Sequence, residues 1–153
     1  MELYLFSTPL GEMGLGEKEG AITALYLPGR PVPRLISRPT PLLEEGRRQL
    51  LEYLAGERQI FDLPLAPAGT PFQRAVWQAL QTIPYGQTRS YGDIARQIGR
   101  PKAFRAVGMA NHENPIPIFI PCHRVVGSDG SLTGYAGGLE LKKALLGLEG
   151  SFN

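Results

Sequence analysis

The 153-residue chain has a single cysteine, two histidines and one tryptophan. A lone thiol cannot close an internal disulfide, and it rules out every multi-cysteine zinc site. With so few imidazoles to complete a donor set, neither a metal nor another cofactor is expected. Long apolar runs are missing as well. No stretch approaches the roughly 18 apolar residues of a membrane span, and Met1-Glu2-Leu3-Tyr4 lacks the basic segment and apolar run of a signal peptide. A cytoplasmic protein with no membrane partner is therefore expected, and an unpaired thiol suits a reducing compartment. Neither sign of charge dominates: 16 Lys and Arg against 14 Asp and Glu leave a net charge of +2. With 42% hydrophobic and 20% charged residues, the composition is that of an ordinary globular protein and excludes wholesale disorder or a fibrous class. The charge is unevenly spread. Before Thr70 there are 7 basic and 9 acidic residues, and from Thr70 onward 9 and 5, giving −2 and +4. Solvated surfaces often split this way, so the asymmetry favours a polyanionic partner only slightly.

The first half reads as a small sheet and a helix. Glu2 to Ser7 alternates as a short strand whose two faces could both be covered, a second strand runs around Met13 to Lys18, and Ala21 to Leu27 reads as a third. Together they suggest an antiparallel meander. Five prolines between Pro28 and Pro41 predict an irregular connection. Thr40 can cap a helix with Pro41 at its first position, with Leu42, Leu43, Leu50, Leu51 and Leu54 at helical spacing and Gly56 as the stop. Gln59 to Leu63 is a possible further strand. Pro64, Pro67, Ala68 and Gly69 then mark a boundary, giving domains over 1–69 and 70–153.

The second half opens on Thr70-Pro71-Phe72-Gln73, in which Thr70 caps, Pro71 sits first and Gln73 can reach back as in a capping box. Phe72, Val76, Leu80 and Ile83, widened by Trp77 and Ala79, form an amphipathic stripe. Pro84-Tyr85-Gly86 ends that helix. Ser90, with Asp93 three residues on, opens another through Ile94, Ala95 and Ile98 to Gly99. A Gly-Arg-Pro turn leads to a short helix over Lys102 to Ala110, so the pattern is that of a helix-turn-helix. In that last helix Ala103, Ala106, Gly108 and Ala110 are small, and Arg105 is the long cation.

The only cysteine lies in Ile118-Phe119-Ile120-Pro121-Cys122-His123-Arg124-Val125-Val126. A thiol followed at once by an imidazole is a candidate activated nucleophile. The prolines at 115, 117 and 121 predict an extended, stiff approach to Cys122. In extended backbone adjacent side chains point to opposite faces, so His123 would reach the thiol through a water unless the chain turns there. Glu149, at the end of an apolar helix Leu141 to Leu148, is a candidate to orient the imidazole.

Pro121-Cys122-His123-Arg124-Val125 resembles the active-site motif of the O6-alkylguanine-DNA alkyltransferases, also called methylated-DNA-protein-cysteine methyltransferases. The resemblance extends through Thr70-Pro71-Phe72-Gln73, Val76-Trp77, Ile83-Pro84, Gly86, Ser90-Tyr91, Lys102-Ala103, Arg105-Ala106-Val107-Gly108, Asn114-Pro115, Tyr135-Ala136-Gly137-Gly138-Leu139 and Glu149-Gly150. It covers essentially all of residues 70 to 150. With the element pattern, it implies an α/β N-terminal domain, a small antiparallel sheet plus helix, followed by a mainly α, winged-helix-like C-terminal domain that carries the helix-turn-helix.

What the resemblance implies is a DNA-repair protein acting as a monomer on double-stranded DNA that contains O6-alkylguanine, with O4-alkylthymine a further candidate. Cys122 would accept the alkyl group once, with His123 as base through water, Glu149 holding the imidazole and Tyr91 donating to the leaving guanine. Asn114 would tie the recognition helix to the active-site turn. Arg105 would fill the gap left by the flipped nucleotide, since a protein thiolate cannot reach an O6 substituent inside stacked DNA. Ser90, Tyr91, Lys102, Ala103 and Ala106 would lie along the DNA, and Tyr135, Ala136, Gly137 and Val125 around the base. Arg124 is expected to anchor structure. One departure is Glu113, where many relatives place an additional arginine nearby; it should weaken phosphate binding or turn its side chain outward. Two other readings stay open: a sensor that flips the alkylated base and recruits another repair pathway without chemistry, and a cysteine hydrolase.

Overall fold

The computed structural model describes residues 1–34 and 38–151, which divide into two compact units. The first comprises Met1–Ala68 with Pro115–Pro117, and the second Gly69–Asn114 with the chain from Ile118 onward.

In the first unit β1 (Glu2–Thr8), β2 (Gly11–Lys18) and β3 (Ala21–Tyr26) form an antiparallel meander in the order β1-β2-β3. Leu3, Phe6, Met13, Leu15, Ile22 and Leu25 are buried; Leu3 and Phe6 lie on opposite faces of β1, so each face is covered at one position, whereas Leu5 is 41% exposed. The Leu5 side chain leans over Gly14, where an added Cβ would come within 2.7 Å of its Cδ2. Helix α1 (Pro41–Leu54) starts as expected, with the Thr40 hydroxyl accepting from the Leu43 amide and Pro41 in the first turn. Its buried face is Leu43, Gly46, Gln49, Leu50 and Tyr53. Gly46 has a packing reason: a Cβ there would lie 2.8 Å from Leu15 Cδ1.

The strand expected over Gln59–Leu63 does not form. Buried Gln49 binds this segment instead, its side chain accepting from the Asp62 amide at 2.9 Å and donating to the Asp62 carbonyl at 3.1 Å. Pairing with the sheet comes two residues beyond, as a single parallel bridge between Ile22 and Leu65. The proline-rich connection has no helix or strand among its described residues, and residues 35–37 of that expectation lie outside them.

The second unit holds α2 (Pro71–Leu80), β4 (Arg89–Ser90), α3 (Tyr91–Gln97), α4 (Phe104–His112), β5 (Val125–Val126) and α5 (Leu139–Leu148). The expected capping box of Thr70 with Gln73 is present, and the expected helix start at Ser90 proves to be a second one, with Asp93. Val76, Trp77, Leu80, Ile83, Ile94, Ala95 and Val107 are buried in its core, and the Trp77 indole donates to the Ala110 carbonyl at 2.8 Å. Helices α3 and α4 form the helix-turn-helix. The second helix begins later than expected and runs further: the Ala103 amide closes a turn onto the Arg100 carbonyl, leaving Lys102 and Ala103 ahead of Phe104.

Candidate active site

Cys122 sits at the start of a 3-10 turn, Cys122–Arg124, between α4 and β5. The approach is not the extended arm that its prolines suggested. It bends at Ile118, whose φ of 73° is in the left-handed region. A β-branched side chain there costs about 1–3 kcal/mol and is held only by its surroundings; Ile118, Phe119 and Ile120 are all buried. Two asparagines fix the backbone on either side of the thiol. The Asn114 amide donates to the Ile120 carbonyl at 2.8 Å, and Asn111, on α4, donates to the Cys122 carbonyl at 3.3 Å. The helix-turn-helix is thus bonded to the peptide that carries the sulfur. On the other side β5 pairs in parallel with β4, Val125 opposite Arg89 and Val126 opposite Ser90, which sets the start of α3 beside the strand leaving Cys122.

The 3-10 turn directs His123 and Arg124 inward onto one carboxylate. His123 Nε2 lies 2.8 Å from Glu149 Oε2, and Arg124 donates to both Glu149 oxygens at 2.8 and 2.9 Å and to the Ile83 carbonyl at 2.7 Å. All three side chains are buried. Burial lowers the imidazole pKa and outweighs the opposing pull of Glu149, so His123 is neutral near pH 7. Its contact with Glu149 is then a hydrogen bond, and Arg124 is the counter-charge of the carboxylate. An ionised Glu149 requires the proton on Nε2, which leaves the Nδ1 lone pair free to accept. Nδ1 is buried and has no hydrogen-bond partner among the described residues.

Cys122 is itself buried, and its pKa is pushed up to about 11 by loss of solvent. Asn114, the Lys142 ammonium and the Tyr135 side chain oppose that rise. The resting group is a thiol. Val125 and Tyr135 are buried, and Ala136 and Gly137 are half-buried in a turn closed by the Gly138 amide on the Tyr135 carbonyl at 2.9 Å. The Tyr91 hydroxyl is bonded to Thr133 Oγ1 on the loop ahead of that turn. Ser90 is half-buried, and its hydroxyl is committed to capping α3.

Lys102, Arg105 and Ala106 are exposed and Ala103 is half-buried. The small residues of α4 do not share one face, since Ala110 is buried with Val107, Gly108 faces the Tyr91 ring, and Ala106 is outward with Phe104 and Met109. Glu113 is turned to the first turn of α2, accepting from Gln73 at 2.7 Å. Among the described residues no group of His, Cys, Asp and Glu is arranged to hold a metal.

Two residues at this site were missed in the sequence. Asn111 follows Val107 by four positions on the buried stripe of α4, and Lys142 precedes Leu145, Leu146 and Glu149 on that of α5. A polar residue at a core position of the helical period is the signal that could have found either.

Residues 71–151 match the family model described as the DNA-binding domain of 6-O-methylguanine DNA methyltransferase. Over 150 residues the chain is 53% identical to the constitutive methylated-DNA–protein-cysteine methyltransferase of Bacillus subtilis, covering 93% of this chain and 91% of that one. The methylated-DNA–protein-cysteine methyltransferase of Methanosarcina acetivorans is 51% identical, with 99% of each chain covered. Among solved structures, that of Mycobacterium tuberculosis OGT in complex with DNA superposes with a TM-score of 0.90 at 47% identity, covering 99% of this chain and 94% of the other. Similarity of this degree, running through both halves of the sequence and through the Cys122 turn, places the chain in the methylated-DNA–protein-cysteine methyltransferase family.

Proposed function

We propose that this protein repairs double-stranded DNA by moving the alkyl group of O6-alkylguanine onto Cys122, once per molecule. The observation that carries the reading is the buried thiol beside a neutral His123 whose Nε2 is held by Glu149 and whose Nδ1 is left available. In the reaction a water passes the thiol proton to Nδ1 and the thiolate attacks the alkyl carbon. A carbon–sulfur bond forms as the carbon–oxygen bond breaks, and the electron pair departs with the guanine, where the Tyr91 hydroxyl donates. The resulting thioether is not readily hydrolysed, so the protein is consumed.

In this reading residues 1–69 are a scaffold domain, and residues 70–153 bind DNA and accept the alkyl group. Helix α4 lies in the minor groove. Arg105 enters the stack in place of the flipped nucleotide, with Ser90, Tyr91, Lys102, Ala103 and Ala106 along the backbone. Val125, Tyr135, Ala136 and Gly137 enclose the extruded base, and Asn114 ties α4 to the nucleophile. The exposure of Arg105, Lys102 and Ala106 and the burial of Val125 and Tyr135 support this division of labour. The protein works in the cytoplasm, where a thiol that must stay reduced is protected. No helix among the described residues is long and apolar enough to cross a membrane.

Intact mass after mixing with a duplex containing O6-methylguanine tests the proposal. The expected result is a gain of about 14 Da, one methylene's worth, on Cys122 and limited to one equivalent. Binding of the duplex without a change in mass favours the sensor instead.

A further inference from the structure

The Tyr91 phenol enters the reaction above as the donor to the departing guanine, and the structure fixes its ring at both ends. Tyr91 opens α3 directly after Ser90, which pairs with Val126 on the strand leaving the nucleophile turn. Its ring lies over Gly108 of α4, where an added Cβ would stand 3.7 Å from Cδ1 and 3.8 Å from Cε1. Its hydroxyl is bonded to Thr133 Oγ1. Both residues are half-buried.

Thr133 is suited to hold that hydroxyl still. Its carbonyl accepts from Lys142 at 3.2 Å, and two residues on the chain reaches buried Tyr135, so the loop backbone is tied down on both sides of the side chain. A β-branched residue has a restricted χ1, and a fixed backbone therefore fixes the direction of Oγ1. Among the described residues, the bond to Tyr91 is the one this oxygen makes.

The direction of that bond decides what the phenol can do. A phenol carries one proton, and a threonine hydroxyl carries one proton and two lone pairs. In the empty site either oxygen can donate. A phenol proton spent on Thr133 is not available to guanine. When Tyr91 donates to the leaving base, the Thr133 hydroxyl has to turn its own proton onto the phenol oxygen, and a hydrogen bond accepted by a donor group strengthens the one it gives.

Resting on the alkyl-transfer reading above, we propose that Thr133 is a positioning residue of this reaction: its hydroxyl holds the Tyr91 phenol in place for the extruded base and donates to it while the phenol donates to the departing guanine. No proton leaves Thr133. Its part is to aim the phenol and to keep the phenol proton free.

The test is the single-turnover rate of alkyl transfer from saturating O6-methylguanine duplex, followed by intact mass. It is measured in wild type, Thr133→Val, Thr133→Ser, Tyr91→Phe and the double variant Tyr91→Phe with Thr133→Val. Val keeps the shape and the stiff χ1 and removes the hydroxyl, whereas Ser keeps the hydroxyl. Thr133→Val should transfer about threefold to tenfold more slowly, the net worth of one hydrogen bond, with duplex affinity and melting temperature close to wild type. Thr133→Ser should recover most of the rate. In the Tyr91→Phe background, already slow, Thr133→Val should cost nothing further, because its effect is carried by the phenol. A packing role for Thr133 would slow both backgrounds equally, and that result overturns the inference. So does a Thr133→Val that transfers at the wild-type rate or faster. A Tyr91→Phe that transfers at full rate removes the donor itself, and this inference with it, but leaves Cys122 as the acceptor. Wild-type protein that binds the duplex without gaining mass overturns the alkyl-transfer reading, and this inference with it.

Discussion

Replacing Glu149 by Gln separates what this carboxylate does for stability from what it does for chemistry. The substitution keeps the shape and removes the charge that Arg124 meets with two hydrogen bonds and His123 with one, all in the interior. Arg124 retains its bond to the Ile83 carbonyl but becomes a buried guanidinium without a counter-ion. Breaking a buried ion pair by removing one partner typically costs about 3–5 kcal/mol. At a few degrees of melting temperature per kcal/mol, the variant should melt roughly 10 °C lower. Loss of an oriented general base should slow alkyl transfer by about a hundredfold or more. The two effects are divided by a second substitution, Arg124→Met, made in the Glu149→Gln background. Neutralising both partners should restore most of the stability, because no charge is left stranded. It should leave transfer slow, because nothing holds the imidazole in the tautomer with Nδ1 free. Urea denaturation and rapid-quench transfer, both well below the melting point, provide the two readouts. Full-speed transfer by folded Glu149→Gln would falsify the orienting role and leave Glu149 an anchor for Arg124 alone.

Two further outcomes follow from the second unit. Arg105→Ala should slow repair of duplex by about tenfold to a hundredfold, in line with a flipping cost of a few kcal/mol, and should slow transfer from the free O6-methylguanine base far less; equal losses on the two substrates would remove the finger role. Gly69→Ala places a Cβ 2.6 Å from the Trp77 ring, a rigid group already bonded to Ala110, so the ring or the helix must move. A loss of about 1–3 kcal/mol is expected, read by denaturation followed through tryptophan fluorescence, and an unchanged midpoint would show that the linker absorbs the clash.

What could be read in the sequence was what is decided locally. Thr70 with Gln73 and Ser90 with Asp93 form capping boxes because both partners lie within one turn, so the helix starts were visible. The buried stripes of α1 and α2 follow the helical period for the same reason. Cys122, His123 and Glu149 were singled out through a family resemblance, and the structure shows the 26-residue return that brings Glu149 to His123. What was not legible depends on distant partners. Gln59–Leu63 has strand-like residues, but Gln49, 13 positions earlier, takes the backbone groups of Asp62. The left-handed turn at Ile118 contradicts its own propensity and is imposed by packing. Lys142 reads as an ordinary surface lysine until helix α5 is docked and it is found inside.

The resting state of the site bears on how a protein that reacts only once avoids reacting wrongly. A thiolate is both the nucleophile that alkyl transfer needs and the form most open to oxidation. Here burial pushes the Cys122 thiol up to about 11 and keeps His123 neutral, with an acceptor nitrogen on Nδ1. At rest the sulfur is a thiol, and a base must take its proton before it can attack. Asn111 and Asn114 bond the Cys122 turn to the helix-turn-helix, and Lys142 bonds the strand beyond it to the loop touching Tyr91. Helix α4 and the Thr133 loop are therefore each within one or two hydrogen bonds of the backbone at Cys122 to Val125. A duplex that moved α4 or displaced the Tyr91–Thr133 contact would thus reach the thiol directly, and activation would coincide with delivery of the damaged base.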